Sequence, residues 1–241
     1  MLKTILEENG ILFENNKIKI PSNFKHIKLD IGLSYSAPQT QVWLKNEDNL
    51  LVFGFEPNPD SVNSIKSLLN TKKDLCRVDV LEQKYINKSA FIIPIALGTN
   101  HNDSVDFYIT ENDEGCSSLY KPINIPIKKC IKVPVFKLSD FFDIFPFDTV
   151  DYIEYIKIDA QGSDLDIIKS GGEYISKKVV FVTLEADGNH YSGAFHNITE
   201  NITEYMNSIG FQKINHPNTT DPTYVNTKFI EISKDIYIRQ L

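Results

Sequence analysis

Two acids and a glycine carry the strongest chemical signal in this chain. Ile27-Lys28-Leu29-Asp30-Ile31-Gly32 reads as a short buried strand ending in an acid and a glycine, followed by the small and polar residues Leu33, Ser34, Tyr35 and Ser36. About twenty residues on, Val52-Phe53-Gly54-Phe55 reads as a second buried strand, and it ends in Glu56 and Pro57. A strand, glycine loop, helix, strand and acid in that order can hold a nucleoside. The loop lets main chain approach the ligand, and the second acid accepts hydrogen bonds from the ribose hydroxyls. A dinucleotide and S-adenosylmethionine both fit such a unit. Further acids stand at later strand ends, Asp159 after Tyr152–Ile158 and Glu185 after Val179–Leu184.

The elements that must position these groups alternate between strand and helix. The first helix is expected from Ala37 to about Glu47, with Pro38 in its first turn, where a missing N–H costs nothing. The second is expected from Asp60 to Leu69, because Val62, Ile65, Leu68 and Leu69 recur at helical spacing. Phe91–Gly98 reads as a third strand. Val105–Ile109 alternates and should be antiparallel, with Ile131–Val135 as its neighbour. Leu138–Phe142 begins a short helix capped by Ser139, and Ser163–Ser170 forms another capped by Ser163 and stopped by Gly171-Gly172. A helix over Ile198–Ile209 precedes a terminal strand pair, Phe211–Ile214 and Lys228–Ile232. Residues 1–26 read as a cap containing a hairpin, and 99–135 as a small β insert. The expectation is one α/β domain over residues 1–241, with a mainly parallel Rossmann-like sheet and an antiparallel C-terminal edge. In such a sheet the ligand lies at the carboxyl ends of the strands, where strand order reverses.

The totals fit this reading. The chain has 241 residues, 41% hydrophobic and 24% charged, enough for one sizeable core. No apolar run is long enough to span a bilayer. The N-terminus carries Glu7 and Glu8 where a signal peptide would be apolar, so a cytoplasmic location is expected. Three widely spaced cysteines, Cys76, Cys116 and Cys130, argue against a disulfide framework and a zinc site. A net charge of −7, with no basic cluster, disfavours nucleic acid as a partner. Asp103, Asp106, Asp113 and Glu114 lack the loop spacing of a calcium site, so no metal is expected.

Seven short pieces, in order, resemble the FkbM family of S-adenosylmethionine-dependent methyltransferases. They are Leu29–Gly32, Gly54–Pro59, Ile95–Gly98, Gly115–Leu119, Val133–Val135 with Leu138 and Asp140, Ile156–Asp164, and Leu184-Glu185. The resemblance spans roughly residues 27–190. It implies a Rossmann-like methyltransferase fold and transfer of a methyl group to a hydroxyl of a sugar or other small polar acceptor. Two positions depart from the family pattern: Ser36 stands where Gly is usual, and Gln161 where Glu is usual. Ser34, too, often has Asn in its place.

On this resemblance, main-chain N–H groups of Gly32 and Leu33 hold the cofactor carboxylate, with Ser34 and Ser36 beside them. Asp30 accepts from its ammonium group, and Glu56, fixed by Pro57 and followed by Asn58, accepts from the ribose. Ala96 and Leu97 line the adenine. Ser117, Ser118 and Gln161 contact cofactor or acceptor. An alcohol is a weak nucleophile and needs a base near its proton. Asp159 is the first candidate, then Glu185 and His190. A nicotinamide dehydrogenase is disfavoured because only Gly32 of the three required glycines is present. A non-catalytic domain of the same fold is the remaining alternative.

Overall fold

The computed structural model describes residues 1–67, 80–216 and 219–240, with side chains as far as Ile236. The expected end of the second helix at Leu68 and Leu69, and Cys76, lie outside these residues. The chain opens with α1 (Leu2–Glu8) and a hairpin of β1 (Phe13–Glu14) and β2 (Lys17–Ile18). Then come β3 (His26–Ile31), α2 (Pro38–Asn46), β4 (Leu50–Phe55), α3 (Pro59–Lys66) and β5 (Ala90–Ile93). The insert follows as β6 (Ala96–Leu97), β7 (Asn102–Thr110), β8 (Lys121–Pro122) and β9 (Ile127–Phe136). The chain then returns through α4 (Leu138–Ile144), β10 (Ile153–Ile158), α5 (Asp164–Ser170), α6 (Glu173–Lys178) and β11 (Val179–Leu184). It finishes with β12 (Tyr191–Ser192), α7 (Thr199–Ser208), β13 (Phe211–Ile214), β14 (Thr223–Asn226) and α8 (Ile230–Gln240).

The central sheet has seven strands in the order β13-β14-β11-β10-β3-β4-β5. The five strands from β11 to β5 are parallel to one another, and β14 is antiparallel to both β11 and β13. This is the expected α/β architecture, with the antiparallel strand one place in from the edge. The parallel strands are apolar because both faces are covered. All six residues of β4 are buried, and so are all six of β11.

The chain runs outward through β3, β4 and β5, then returns to place β10 on the other side of β3. The order therefore reverses between β3 and β10, and there the two strand ends nearly touch. Gly32 has φ +85°, and a Cβ on it would lie 1.8 Å from the Asp159 carbonyl oxygen. Only glycine fits. Leu33 turns its side chain into the core, where a Cβ on Gly54 would meet it at 2.7 Å.

Several expectations are corrected. Phe91–Gly98 is not one strand. Pro94 cannot donate to a ladder, and the chain breaks there, so β5 stays in the central sheet while β6 pairs with β9 in the insert. β7 and β9 pair antiparallel as expected, with Val105 opposite Val133. The helix at 138 is capped by Asp140, whose carboxylate accepts from the Lys137 N–H at 2.9 Å, and Ser139 lies inside the first turn. Ser163 occupies the cap position of α5 but makes no capping bond. α5 does end at Gly171-Gly172 as expected, and a separate short helix, α6, begins directly after them. The strand pairing with β13 is Thr223–Asn226, and Lys228–Ile232 belongs to the turn leading into α8 and to α8 itself. Residues 2–8 form a helix ahead of the hairpin.

Candidate functional site

A cavity of about 550 Å³ opens at the carboxyl ends of β3, β4, β10 and β11. The loop after β3 forms one wall. Ser34 is held at φ +55° and Ala37 at +49°, conformations unusual for residues with side chains, before Pro38 starts α2. The insert closes the opposite side. Its single 3-10 turn, Glu114–Cys116, folds over the loop so closely that a Cβ on Gly115 would lie 3.4 Å from Ser34 Oγ.

Of the residues expected at the site, Gly32, Ser34, Ser36, Glu56, Pro57, Ala96, Leu97, Ser117, Asp159, Gln161, Glu185 and His190 line this cavity. Asp30, Leu33, Asn58 and Ser118 do not. Asp30 is buried beneath the wall, where Thr40 Oγ1 donates to it at 2.6 Å and Lys157 Nζ stands 3.9 Å away. Burial pushes its carboxyl above the usual range, against the pull of Lys157. Asn58 caps α3 by accepting from the Asp60 N–H, while its own N–H donates to Glu56 Oε1 at 2.8 Å. Ser118 fastens the insert to the site, donating to the Gln161 carbonyl at 2.6 Å.

Glu56 is 5% exposed and accepts main-chain N–H groups of Asn58 and Ser34. Burial pushes it up to about 8, those N–H groups pull it down, and Asp159 and Glu114 add to the rise. Two N–H donors orient the carboxylate at the cavity wall.

A second cluster sits across the cavity. Lys157 and Asp159 are two apart on β10 and on one face of it, and Lys157 Nζ donates to Asp159 Oδ2 at 2.9 Å. Gln161, at φ +53°, sends its amide nitrogen to Asp159 Oδ1 at 2.7 Å and to Glu185 Oε2 at 2.5 Å. Its amide oxygen accepts from the Tyr191 hydroxyl at 2.5 Å. Both N–H donors and the oxygen of the amide are thereby engaged. Burial favours a neutral Asp159, but Lys157 and the hydrogen bonds from Glu185, Lys157 and Gln161 hold it below the ordinary carboxylate value. Burial and the Asp159 charge push Glu185 up to about 10. The two acids thus hold one proton between them, on Glu185. Burial opposes the charge on Lys157, yet Asp159 and Asp30 hold it above its usual value.

The sequence reading missed Asp187 and Tyr191 in the wall, and Lys157 behind it. The alternation of β10 could have revealed Lys157, since it shares a strand face with Asp159. Tyr191 is next in the chain to His190, at the start of β12. Its hydroxyl also reaches the Cys116 carbonyl at 3.1 Å, joining the loop after β11 to the insert. Pairing of β8 with β12 makes the same junction. Among the described residues, no group of three or more His, Cys, Asp or Glu is placed to hold a metal ion, and no helix is long and apolar enough to cross a membrane.

The mostly parallel sheet with its crevice at the switch point defines a Rossmann-like α/β protein. The chain belongs to the methyltransferase FkbM domain family, whose profile it matches over residues 42–213. No curated protein matches it. Among solved structures, it is similar to the methyltransferase FkbM from Methylobacillus flagellatus KT, with 16% identity and a TM-score of 0.48, over 90% of this chain and 47% of that one. The chain thus spans about half the length of that protein.

Proposed function

We propose that this protein is an S-adenosylmethionine-dependent O-methyltransferase acting on a hydroxyl of a sugar or other small polar acceptor. The observation that carries the reading is the cavity at the switch point, with Gly32 against Asp159 on one side and the N–H-oriented Glu56 on the other. The wall suits the cofactor. Gly32 lies in the wall without a side chain, Glu56 offers acceptors for ribose hydroxyls, and the β6 residues Ala96 and Leu97 give an apolar surface for a base. Ser34 and Ser36 lie beside the glycine, within reach of the amino acid end. The cofactor supplies an electrophilic methyl group. The chain's own task is to hold an acceptor oxygen in line and keep its proton engaged.

Asp159 is the group for that proton. It is ionised, and Lys157 and Gln161 fix its direction, so an acceptor hydroxyl can donate to it. Glu185 holds the proton that keeps the pair from carrying two charges. His190 lies at the cavity mouth, within the same wall, and is exposed. Gln161 does what a glutamate there could not, because an ionised carboxylate has no N–H to give to two other acids. This position supports a working site over a degenerate one.

Titration calorimetry with S-adenosylhomocysteine, and separately with NAD, tests the cofactor. Binding of the first alone is expected. Transfer of labelled methyl from S-adenosylmethionine to a panel of hydroxylated acceptors tests the reaction, and an NAD-only result would overturn the reading.

A further inference from the structure

Ser163 raises a question that the fold does not answer. It is 2% exposed, and its hydroxyl has no hydrogen-bond partner in the protein although it stands where a helix cap would be. A buried hydroxyl without a partner is costly. Ser163 is one of the residues that line the cavity. Its neighbour Gly162 gives its N–H to the Asp187 carboxylate, which sets Asp187 beside Ser163.

The wall around it is rich in carboxylic acids. Asp113, Glu114, Asp159, Glu185 and Asp187 line it in addition to Glu56, and among the described residues no lysine or arginine side chain does. The Gln161 amide nitrogen is already engaged by two acids, and the Tyr191 hydroxyl by Gln161. Lys157 and Lys128 sit behind Asp159 and Glu114, at 2.9 and 3.4 Å. Among the described residues His190 is the one basic side chain in the wall, and its charge would act on Asp187. Such a surface suits a ligand with several donors. Glu56 and Glu185 are held protonated and Lys157 and Lys128 face Asp159 and Glu114, which leaves Asp113 and Asp187, one carboxylate more than the cofactor's single net positive charge balances. A neutral polyol would leave the excess uncompensated.

We infer that the acceptor carries a protonated amine besides its hydroxyl, seated against Asp187 with Ser163 accepting one of its N–H groups. The inference rests on the proposed methyltransferase reading and names the acceptor class for it: a hydroxylated primary amine, of amino-sugar or amino-alcohol type. The amine is the handle. The hydroxyl donates to Asp159.

The test is titration calorimetry of the protein saturated with S-adenosylhomocysteine. The probes are matched pairs: glucosamine, galactosamine and ethanolamine, each against its N-acetyl derivative. At least one free amine is expected to bind about tenfold or more tightly than its partner, the difference that a charge-assisted hydrogen bond makes. Asp187→Asn and Ser163→Ala should each erode that preference. Ser163→Ala removes a hydroxyl that bonds nothing in the protein, so its melting temperature should hold or rise while its amine affinity falls. Equal binding of the N-acetyl compounds overturns the inference, as does failure of every free amine to bind a protein that has taken up S-adenosylhomocysteine. In both cases the methyltransferase reading stands. Failure to bind S-adenosylhomocysteine at all overturns that reading and this inference together.

Discussion

Gly32 and Asp159 meet main chain to main chain across the switch point, and a Cβ on Gly32 would lie 1.8 Å from the Asp159 carbonyl oxygen. The φ of +85° adds its own demand for glycine. Gly32→Ala must push β3 and β10 apart, in a part of the sheet too tightly packed to yield. The expected result is a loss of at least about 2 kcal/mol in urea unfolding and no measurable uptake of S-adenosylhomocysteine.

Glu56 and Glu185 make the ligand-free protein less stable as pH rises. Glu56 keeps its proton in the folded state up to about 8, against an ordinary value of 4.5, and Glu185 up to about 10. Between 4.5 and those values the folded state binds more protons than the unfolded one, so stability present below pH 4.5 is lost as pH climbs through 8 and then 10. Melting temperature should fall from pH 5 to pH 9, and Glu56→Gln or Glu185→Gln should flatten the fall. A profile that rises over this range would refute the assignment.

Cofactor binding should run the opposite way. Ribose hydroxyls donate best to an ionised Glu56, so affinity for S-adenosylhomocysteine is expected to increase toward pH 8 and level off above it. At pH 7, binding should release a proton, seen as a binding heat that changes with the ionisation heat of the buffer. Glu56→Gln should abolish that dependence.

Asp159→Asn separates chemistry from binding. The asparagine keeps the shape but cannot take a proton, and methyl transfer should fall by roughly 10²–10⁴-fold. Affinity for S-adenosylhomocysteine should stay within about threefold of the parent, a difference of under about 1 kcal/mol. Activity unchanged in this variant would remove Asp159 from its role.

The buried pair Lys28–Glu47 offers a stability test remote from the cavity. Both side chains are almost fully buried and hydrogen-bonded to each other, and the Lys28 ammonium lies 4.9 Å from the centre of the Trp43 ring. Lys28→Met alone leaves Glu47 charged in the core and should cost about 3–5 kcal/mol, while adding Glu47→Leu should restore most of it. Chemical denaturation of the two variants would show whether the cost follows the orphaned charge.

The sheet was legible because its strands are apolar runs ended by acids and glycines, and those ends mark the crevice. Harder to read was β14, Thr223-Tyr224-Val225-Asn226. Its polar residues look like loop, yet all four are buried. Thr223 is hydrogen-bonded to Thr183 at 2.7 Å, and the Asn226 amide reaches the Val179 carbonyl at 2.9 Å. The alternation of Lys228–Ile232 imitated a strand but belongs to the start of α8 and the turn before it. In the site, strand-end residues were readable from position. Asp187 and Ser163 were not, because what sets them apart is a cavity and a missing partner, both products of tertiary packing.

Pro94 divides what reads as one strand between two sheets, and each sheet has its own apolar cluster. Ala96, Phe107, Ile109, Val133 and Val135 form the small one, apart from the cores on either face of the main sheet. The consequence is evolutionary. The insert can be lengthened, shortened or rewritten between Gly98 and Val133 without disturbing the packing that sets Gly32 against Asp159. A lineage could remodel the part of the cavity wall that the insert supplies, Glu114–Cys116 and Ser117, while keeping the strand junction at Gly32 and Asp159.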